Sequence, residues 1–249
     1  MHKPQNIFDN PTFFEGYKEL RARENNYNNL LEQPAMAALM PDVSGKTVLD
    51  LGCGAGHNCL DFVRRGAAEV VGVDLSEKML AVAKEECSDE KITYLRMSMT
   101  EAGTLRRTFD LVYSSLAFHY VEDFPAFAKT LYALLNDGGT LLFSQEHPLT
   151  TATPDDGGHF NHDENGERIS YTFSDYNRPG RREATWFVGG VEKYHRTFSD
   201  IVTALAEVGF VIERMEEPQP SEDALMRIPK MIGEFIKPSF LIVKAGKRA

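Results

Sequence analysis

Cysteine is scarce and unpatterned in this chain. Of 249 residues three are cysteines, Cys53, Cys59 and Cys87, with no C-x-x-C pair and no accompanying histidine cluster. That excludes the usual spacing of a zinc site and gives no disulfide framework, so no metal is expected. Long apolar runs are also missing. None approaches the roughly 20 residues that cross a bilayer, and the opening Met1-His2-Lys3-Pro4-Gln5-Asn6 does not lead into a signal-peptide core. A cytoplasmic protein that does not enter a membrane is the expectation. Basic residues are in the minority, 27 Lys and Arg against 37 Asp and Glu, for a formal net charge of −10. A broad nucleic-acid contact needs a basic face, so none is expected, although a small local basic site stays open. Tryptophan occurs once, as Trp186. The 42% hydrophobic and 26% charged content is that of an ordinary globular chain, long enough to bury a sizeable core.

What the chain does have is concentrated in Thr47-Val48-Leu49-Asp50-Leu51-Gly52-Cys53-Gly54-Ala55-Gly56. Val48, Leu49 and Leu51 suit a buried parallel strand, and the three glycines let the backbone turn tightly against a ligand. Leu60, Val63 and Phe62 then give the following segment a helical period. Strand, glycine turn and helix together open a nucleotide-binding α/β unit. The dinucleotide pattern G-x-G-x-x-G would need glycine at position 57, where His57 stands. Asp50 suits a ligand with a cationic amino group and would repel a pyrophosphate. Further on, Glu69-Val70-Val71-Gly72-Val73-Asp74 reads as a second strand whose terminal acid can accept the two hydroxyls of a ribose.

With these residues the chain resembles the class I S-adenosylmethionine-dependent methyltransferases, from about Val43 to Lys244. The resemblance implies that Asp50, Gly52, Gly54 and Gly56 hold the amino-acid end of S-adenosylmethionine and that Asp74 holds its ribose. Leu75, Met79, Ser98 and Met99 would surround the adenine, with Ser114 at the end of the fourth strand beside the cofactor. Where many relatives carry an acid at the adenine edge, this chain has Ser98-Met99-Thr100. The loop Ser115 to Tyr120 resembles the segment that lies beside the transferable methyl.

The rest of the chain reads as one α/β domain: a Rossmann-like, doubly wound seven-stranded sheet, mostly parallel, with an antiparallel last strand implied by the resemblance. Residues 1–42 are expected to be helical, with Phe13, Phe14, Tyr17, Leu20, Tyr27, Leu30 and Leu31 at helical spacing; they pack on the core or serve as a lid. Residues 43–145 form the cofactor-binding core, in the order β-α-β-α-β-β-α-β. Asp123 to Leu135 is its last helix, and Asn136-Asp137-Gly138-Gly139 turns into a strand Thr140 to Ser144. Residues 146–196 read as an insertion over the active site with two strands, Ile169 to Phe173 and Ala184 to Val188. Residues 197–249 complete the sheet through a helix ending at Gly209, a strand from Phe210, a helix Ala224 to Ile236 and a last strand Phe240 to Val243.

Methyl transfer from a sulfonium needs alignment and, where the acceptor is protonated, a base. His119, His147 and His195 are the candidates, being histidines near the expected carboxyl edge. Tyr17, Tyr120, Trp186 and Tyr194 are candidates for holding a small-molecule acceptor. A catalytically inactive S-adenosylmethionine-binding module for regulation or assembly is the alternative. An NAD(P)-dependent oxidoreductase is disfavoured by the glycine spacing and Asp50. The acceptor, the atom methylated and the oligomeric state are open at this point.

Overall fold

The computed structural model describes residues 4–154 and 157–248. Met1 to Lys3, Asp155, Asp156 and Ala249 lie outside the described residues, and with them the start of the opening segment and part of the insertion. In chain order the helices and strands are α1 (Pro11–Ala22), α2 (Gln33–Leu39), β1 (Thr47–Leu51), α3 (His57–Arg64), β2 (Glu69–Asp74), α4 (Glu77–Glu86), β3 (Ile92–Arg96), β4 (Phe109–Ser114), α5 (Phe124–Ala133), β5 (Leu135–Glu146) and α6 (Pro148–Thr151). They are followed by β6 (His159–His162), β7 (Arg168–Thr172), β8 (Gly180–Trp186), β9 (Val188–His195), α7 (Phe198–Glu207), β10 (Phe210–Glu216), α8 (Glu222–Arg227) and β11 (Phe240–Lys247).

Seven strands form one sheet in the order β10-β11-β5-β4-β1-β2-β3. β1 pairs in parallel with β2 and β4, as do β2 with β3 and β4 with β5, while β11 runs antiparallel to both β5 and β10. This is the expected Rossmann-like fold, with β11 inserted between β5 and β10. The alternation of β1 divides the core. Leu49 and Leu51 join a buried cluster with Phe118, Phe127 and Phe143 on one face, and Val48 joins Phe62, Leu111 and Tyr113 on the other. Both faces are covered, as a mostly parallel sheet requires. Asp50 falls on the Val48 face, opposite Gly72 and Tyr113 in register. A side chain at Gly72 would collide with Cys53 and Cys59 Sγ, each 3.0 Å from its Cβ position.

Several expectations are corrected. The insertion holds four strands in two hairpins, β6 with β7 and β8 with β9. β9 is masked in the sequence by Gly189-Gly190, and Phe187, at φ 58°, turns the chain between its hairpin arms. The expected helix Ala224 to Ile236 breaks after Arg227, because Pro229 lacks an N–H and disfavours helical backbone at Ile228, which has φ −134° and ψ 85°, after which Pro229–Phe235 is a 3-10 turn. A further 3-10 segment, Met99–Leu105, separates β3 from β4. On α3 the buried residues are Cys59 and Phe62 rather than Leu60 and Val63. β5 begins at Leu135, and Asn136 to Gly139 form a bulge within it rather than a turn before it. Among the described residues no helix is long and apolar enough to cross a membrane.

Candidate functional site

The carboxyl ends of β1, β2, β4 and β5 converge where ligands bind in open parallel sheets. The turn after β1 is pinned to β2: Gly52 and Cys53 N–H groups donate to the Val73 carbonyl at 2.8 and 3.0 Å. Gly52, Gly54 and Gly56 have φ of 76°, 54° and 81°, the left-handed region that favours glycine. At Gly52 a Cβ would stand 2.6 Å from that of Ala117, whereas at Gly54 it would meet nothing within 4 Å. The turn therefore presents bare backbone to open space at Gly54.

Two acids flank it. Asp74 Oδ2 accepts from Gly54 N–H at 2.9 Å and Oδ1 from Ser76 N–H at 2.8 Å. Burial nevertheless raises its carboxyl above the ordinary value, and each oxygen keeps a lone pair for another donor. Asp50 is 1% exposed. Its Oδ2 accepts from the Cys59 thiol at 3.4 Å, while Oδ1 has no partner. Burial pushes its carboxyl up to about 7, partly offset by the Cys59 hydrogen bond.

Around the expected adenine position the start of α4 is held by its own N-cap and by the N-terminal segment. Met79 is buried on α4, whose N-cap Ser76 accepts from Met79 N–H. Leu75 accepts from Asn6 Nδ2 at 3.4 Å, and the Asp9 carboxylate accepts from Ser76 Oγ, Glu77 N–H and Lys78 N–H. Met99 Cε reaches to 3.6 Å of the Gly52 Cβ position. The Ser98 hydroxyl is engaged in a capping box with Glu101. Ser114 donates to the Leu51 carbonyl at 2.7 Å, tying β4 to β1.

Tyr17, Tyr120 and Trp186 come together, as their separation in sequence would not suggest. Phe8 stands 5.1 Å from Tyr17 and 6.2 Å from Tyr120, ring centre to ring centre, and Trp186 stands 5.8 Å from Tyr17. Phe13 is fully buried in the same cluster. Tyr194 is not part of it.

The three histidines have different surroundings. In His195, Nδ1 meets the Thr151 hydroxyl and Nε2 the Tyr176 carbonyl, both at 2.8 Å, so both ring nitrogens are engaged. His147 caps α6, accepting from Leu149 N–H at 3.1 Å, and pairs through Nε2 with Glu217 at 2.9 Å. His119 is 3% exposed and lies in the loop after β4. Its Nδ1 accepts from Glu146 N–H at 3.4 Å, which places the ring proton on Nε2. Burial, with Lys193 and Arg196 adding to it against Glu146, lowers its pKa to about 4. The ring is therefore expected to stay neutral from pH 5.5 to 8. Constant imidazole shifts for His119 in a heteronuclear NMR titration would show this, and a midpoint near 6.5 would contradict it.

Residues with no evident signal in the sequence complete the site. Glu146, at the end of β5, pairs with Lys193 of β9 at 2.6 Å, while its Oε2 has no partner. Burial opposes ionisation of Glu146, but the Lys193 ammonium outweighs it, with the carboxyl held below its ordinary value. Both line a cavity of about 30 Å³ with Thr150, Thr151 and Arg182, room for about one water. Glu32, just before α2, is 0% exposed and fully hydrogen-bonded.

Comparison with known proteins identifies relatives of the chain and of its fold. Residues 48–139 match the family model of a methyltransferase domain. A crystal structure of an S-adenosylmethionine-dependent methyltransferase from Mesorhizobium loti is 38% identical, with a TM-score of 0.78 over 86% of this chain and 97% of that one. An uncharacterised protein from Haemophilus influenzae is 35% identical over 99% of both chains. The malonyl-[acyl-carrier protein] O-methyltransferase of Pectobacterium atrosepticum is 34% identical over 44% of this chain and 42% of its own.

Proposed function

The chain belongs to the S-adenosylmethionine-dependent methyltransferases, which use that sulfonium as methyl donor, and from that premise we propose that it methylates a small-molecule acceptor held beside the aromatic cluster of Tyr17, Tyr120 and Trp186. The observation that carries the reading is the buried, unpartnered Asp50 Oδ1 at the foot of a bare glycine turn. A buried carboxylate oxygen without a donor calls for a ligand that brings one, and a ligand ammonium does so. Asp50 and the turn Gly52 to Gly56 would hold that end of the cofactor, and Asp74 would accept its ribose hydroxyls. Met99, beside Gly52, and Leu75 and Met79 of the next turn would border the adenine. S-adenosylmethionine supplies, when bound, a methyl group already activated for displacement.

The protein's own contribution is then orientation, exclusion of water and relief of the acceptor's proton. His119 presents an N–H at Nε2 and is a weak base, so its role is to donate a hydrogen bond to the acceptor. His147 and His195 hold α6 and the insertion in place. Glu146, ionised and paired with Lys193, is no stronger a base, but its Oε2 is the acceptor atom left free, so it would take a hydrogen bond from the acceptor's proton. The net charge of −10 and the aromatic enclosure favour a small molecule over nucleic acid.

Calorimetric titration with S-adenosylmethionine, S-adenosylhomocysteine and NAD in parallel tests the reading. Binding of the first two and silence from the third is expected, and the reverse would overturn it. Asp74→Ala is expected to weaken S-adenosylmethionine by more than ~1 kcal/mol, about fivefold or more, through lost charge-assisted hydrogen bonds. Unchanged affinity would remove Asp74 from the site.

A further inference from the structure

Leu116 sits in the loop after β4 with φ of 53°, a left-handed backbone on a residue that gains nothing from it. Its N–H is held by Ser144 of β5, to the carbonyl at 3.1 Å and to Oγ at 3.0 Å. Ser144 Oγ is free to accept there because its own hydrogen goes to Glu32 Oε1, at 2.5 Å. Ser115, the residue before Leu116, donates to the same Glu32 oxygen at 2.9 Å. The other oxygen accepts from Asn28, on the π-helical turn that carries Glu32 itself, at 2.7 Å and from Gln33, the first residue of α2, at 2.9 Å.

We infer that Glu32 is a positioning residue for the proposed transfer: from the N-terminal segment it fixes the backbone of the β4 loop that closes on the glycine turn. The inference rests on the reading of that turn as the cofactor cradle. Its basis is the direction of the four hydrogen bonds. Two hold the turn that bears Glu32 and the start of α2, and two reach the end of β5 and the start of the β4 loop, which meet at the carboxyl edge. The next residue after Leu116 is Ala117, whose Cβ lies 2.6 Å from the Cβ position of Gly52. A shift at Leu116 therefore moves the wall against which the turn is seated. His119 and Tyr120 follow within the same loop. An apolar residue would fill a buried position at lower desolvation cost. A carboxylate with four donors is needed only if those donors must be held in one arrangement.

Glutamine in place of Glu32 has one accepting oxygen and an amide that faces two donors, so half of the set is lost. Titration with S-adenosylmethionine is the test, applied to wild type, Glu32→Gln and the pair Glu32→Gln with Leu116→Gly; Leu116→Gly alone sets the baseline. Glu32→Gln is expected to weaken binding about tenfold, and the glycine, which adopts the left-handed backbone freely, to return the pair to within about threefold of its baseline. Melting temperature is not expected to recover with it, since the lost hydrogen bonds stay lost. If Glu32→Gln does not fold, Ser144→Ala with and without Leu116→Gly poses the same question at the relay alone. Unchanged affinity in Glu32→Gln, or no rescue by glycine, would overturn the inference while leaving the cofactor reading intact. Wild type failing to bind would remove that reading and the inference together.

Discussion

Asp50→Asn is expected to make the ligand-free protein more stable at pH 8 and to weaken S-adenosylmethionine at least tenfold. The two effects share one cause. Asp50 is buried with one oxygen unpartnered, and its carboxyl titrates near 7 in the folded protein. In the unfolded chain a carboxyl of this type titrates near 4. Between those values the native state binds the extra proton, so the stability it contributes is complete below about pH 4 and is lost as pH rises through 7. At roughly 1.4 kcal/mol per pH unit the loss amounts to a few kcal/mol. Asparagine carries no charge to bury and does not suffer it. The difference in melting temperature between variant and wild type should therefore grow from pH 5 to pH 8, by about 2–4 °C for each kcal/mol in a chain of this size. Binding runs the other way. A ligand ammonium favours the ionised carboxylate, so wild-type affinity should rise with pH up to about 7 and then level off, and the Asn variant should show no such rise. Melting curves that differ by a constant amount at all pH values would refute the assignment. The stability forgone at Asp50 is then recovered only when a cation arrives.

Much of this was legible in the chain because it is local. Asp50, the three glycines and Asp74 belong to two adjacent strand-turn segments, and positive φ at Gly52, Gly54 and Gly56 is what glycine at that spacing foretells. The sheet followed from apolar runs and turns in the same way. What escaped depends on partners distant in sequence. Glu32 stands in the apolar stretch Leu30-Leu31-Glu32 and is explained by Ser144, 112 positions away. Glu146 and Lys193 are 47 positions apart, and neither has a motif around it. The histidines show the limit of position as a signal. His119 and His147 both occur at the carboxyl edge, as their strands suggested, but hydrogen bonds to Leu149 and Glu217 engage His147 while His119 keeps Nε2–H. Local composition also concealed β9, through Gly189-Gly190, and the break at Pro229, where one proline outweighs the helical period on both sides.

Arg196 gives the largest expected loss of stability. It follows His195 at the end of the insertion and is 6% exposed, with its guanidinium lying over the Phe124 ring at 4.8 Å. One Nη donates to the Phe118 carbonyl at 3.1 Å and the other to the Val121 carbonyl. Burial lowers its pKa to about 10, with Asp200 working against the shift; at neutral pH it is a cation held chiefly by two carbonyl dipoles and a ring. The cost of burying it is incurred when the protein folds, and the hydrogen bonds offset that cost only while both carbonyls are in place. Arg196→Met keeps most of the volume and the contact with Phe124 but takes a charged donor from two buried oxygens. A hydrogen bond to a charged group contributes about 1.5–3 kcal/mol, so a loss of roughly 2–4 kcal/mol is expected in urea unfolding. Arg196→Lys, with a compact ammonium that cannot span both carbonyls, should fall between the two. The bracketed segment Phe118 to Val121 contains His119 and Tyr120, on the proposed acceptor side, and lies past Leu116 and Ala117, the part of the loop that Ser144 holds and that touches the glycine turn. S-adenosylmethionine affinity is therefore expected to stay within about threefold of wild type even as stability falls. A variant as stable as wild type would show that the carbonyls find other donors. Equal losses of stability and cofactor affinity would show that the loop and the glycine turn respond as one unit, as the contact between Ala117 and Gly52 allows.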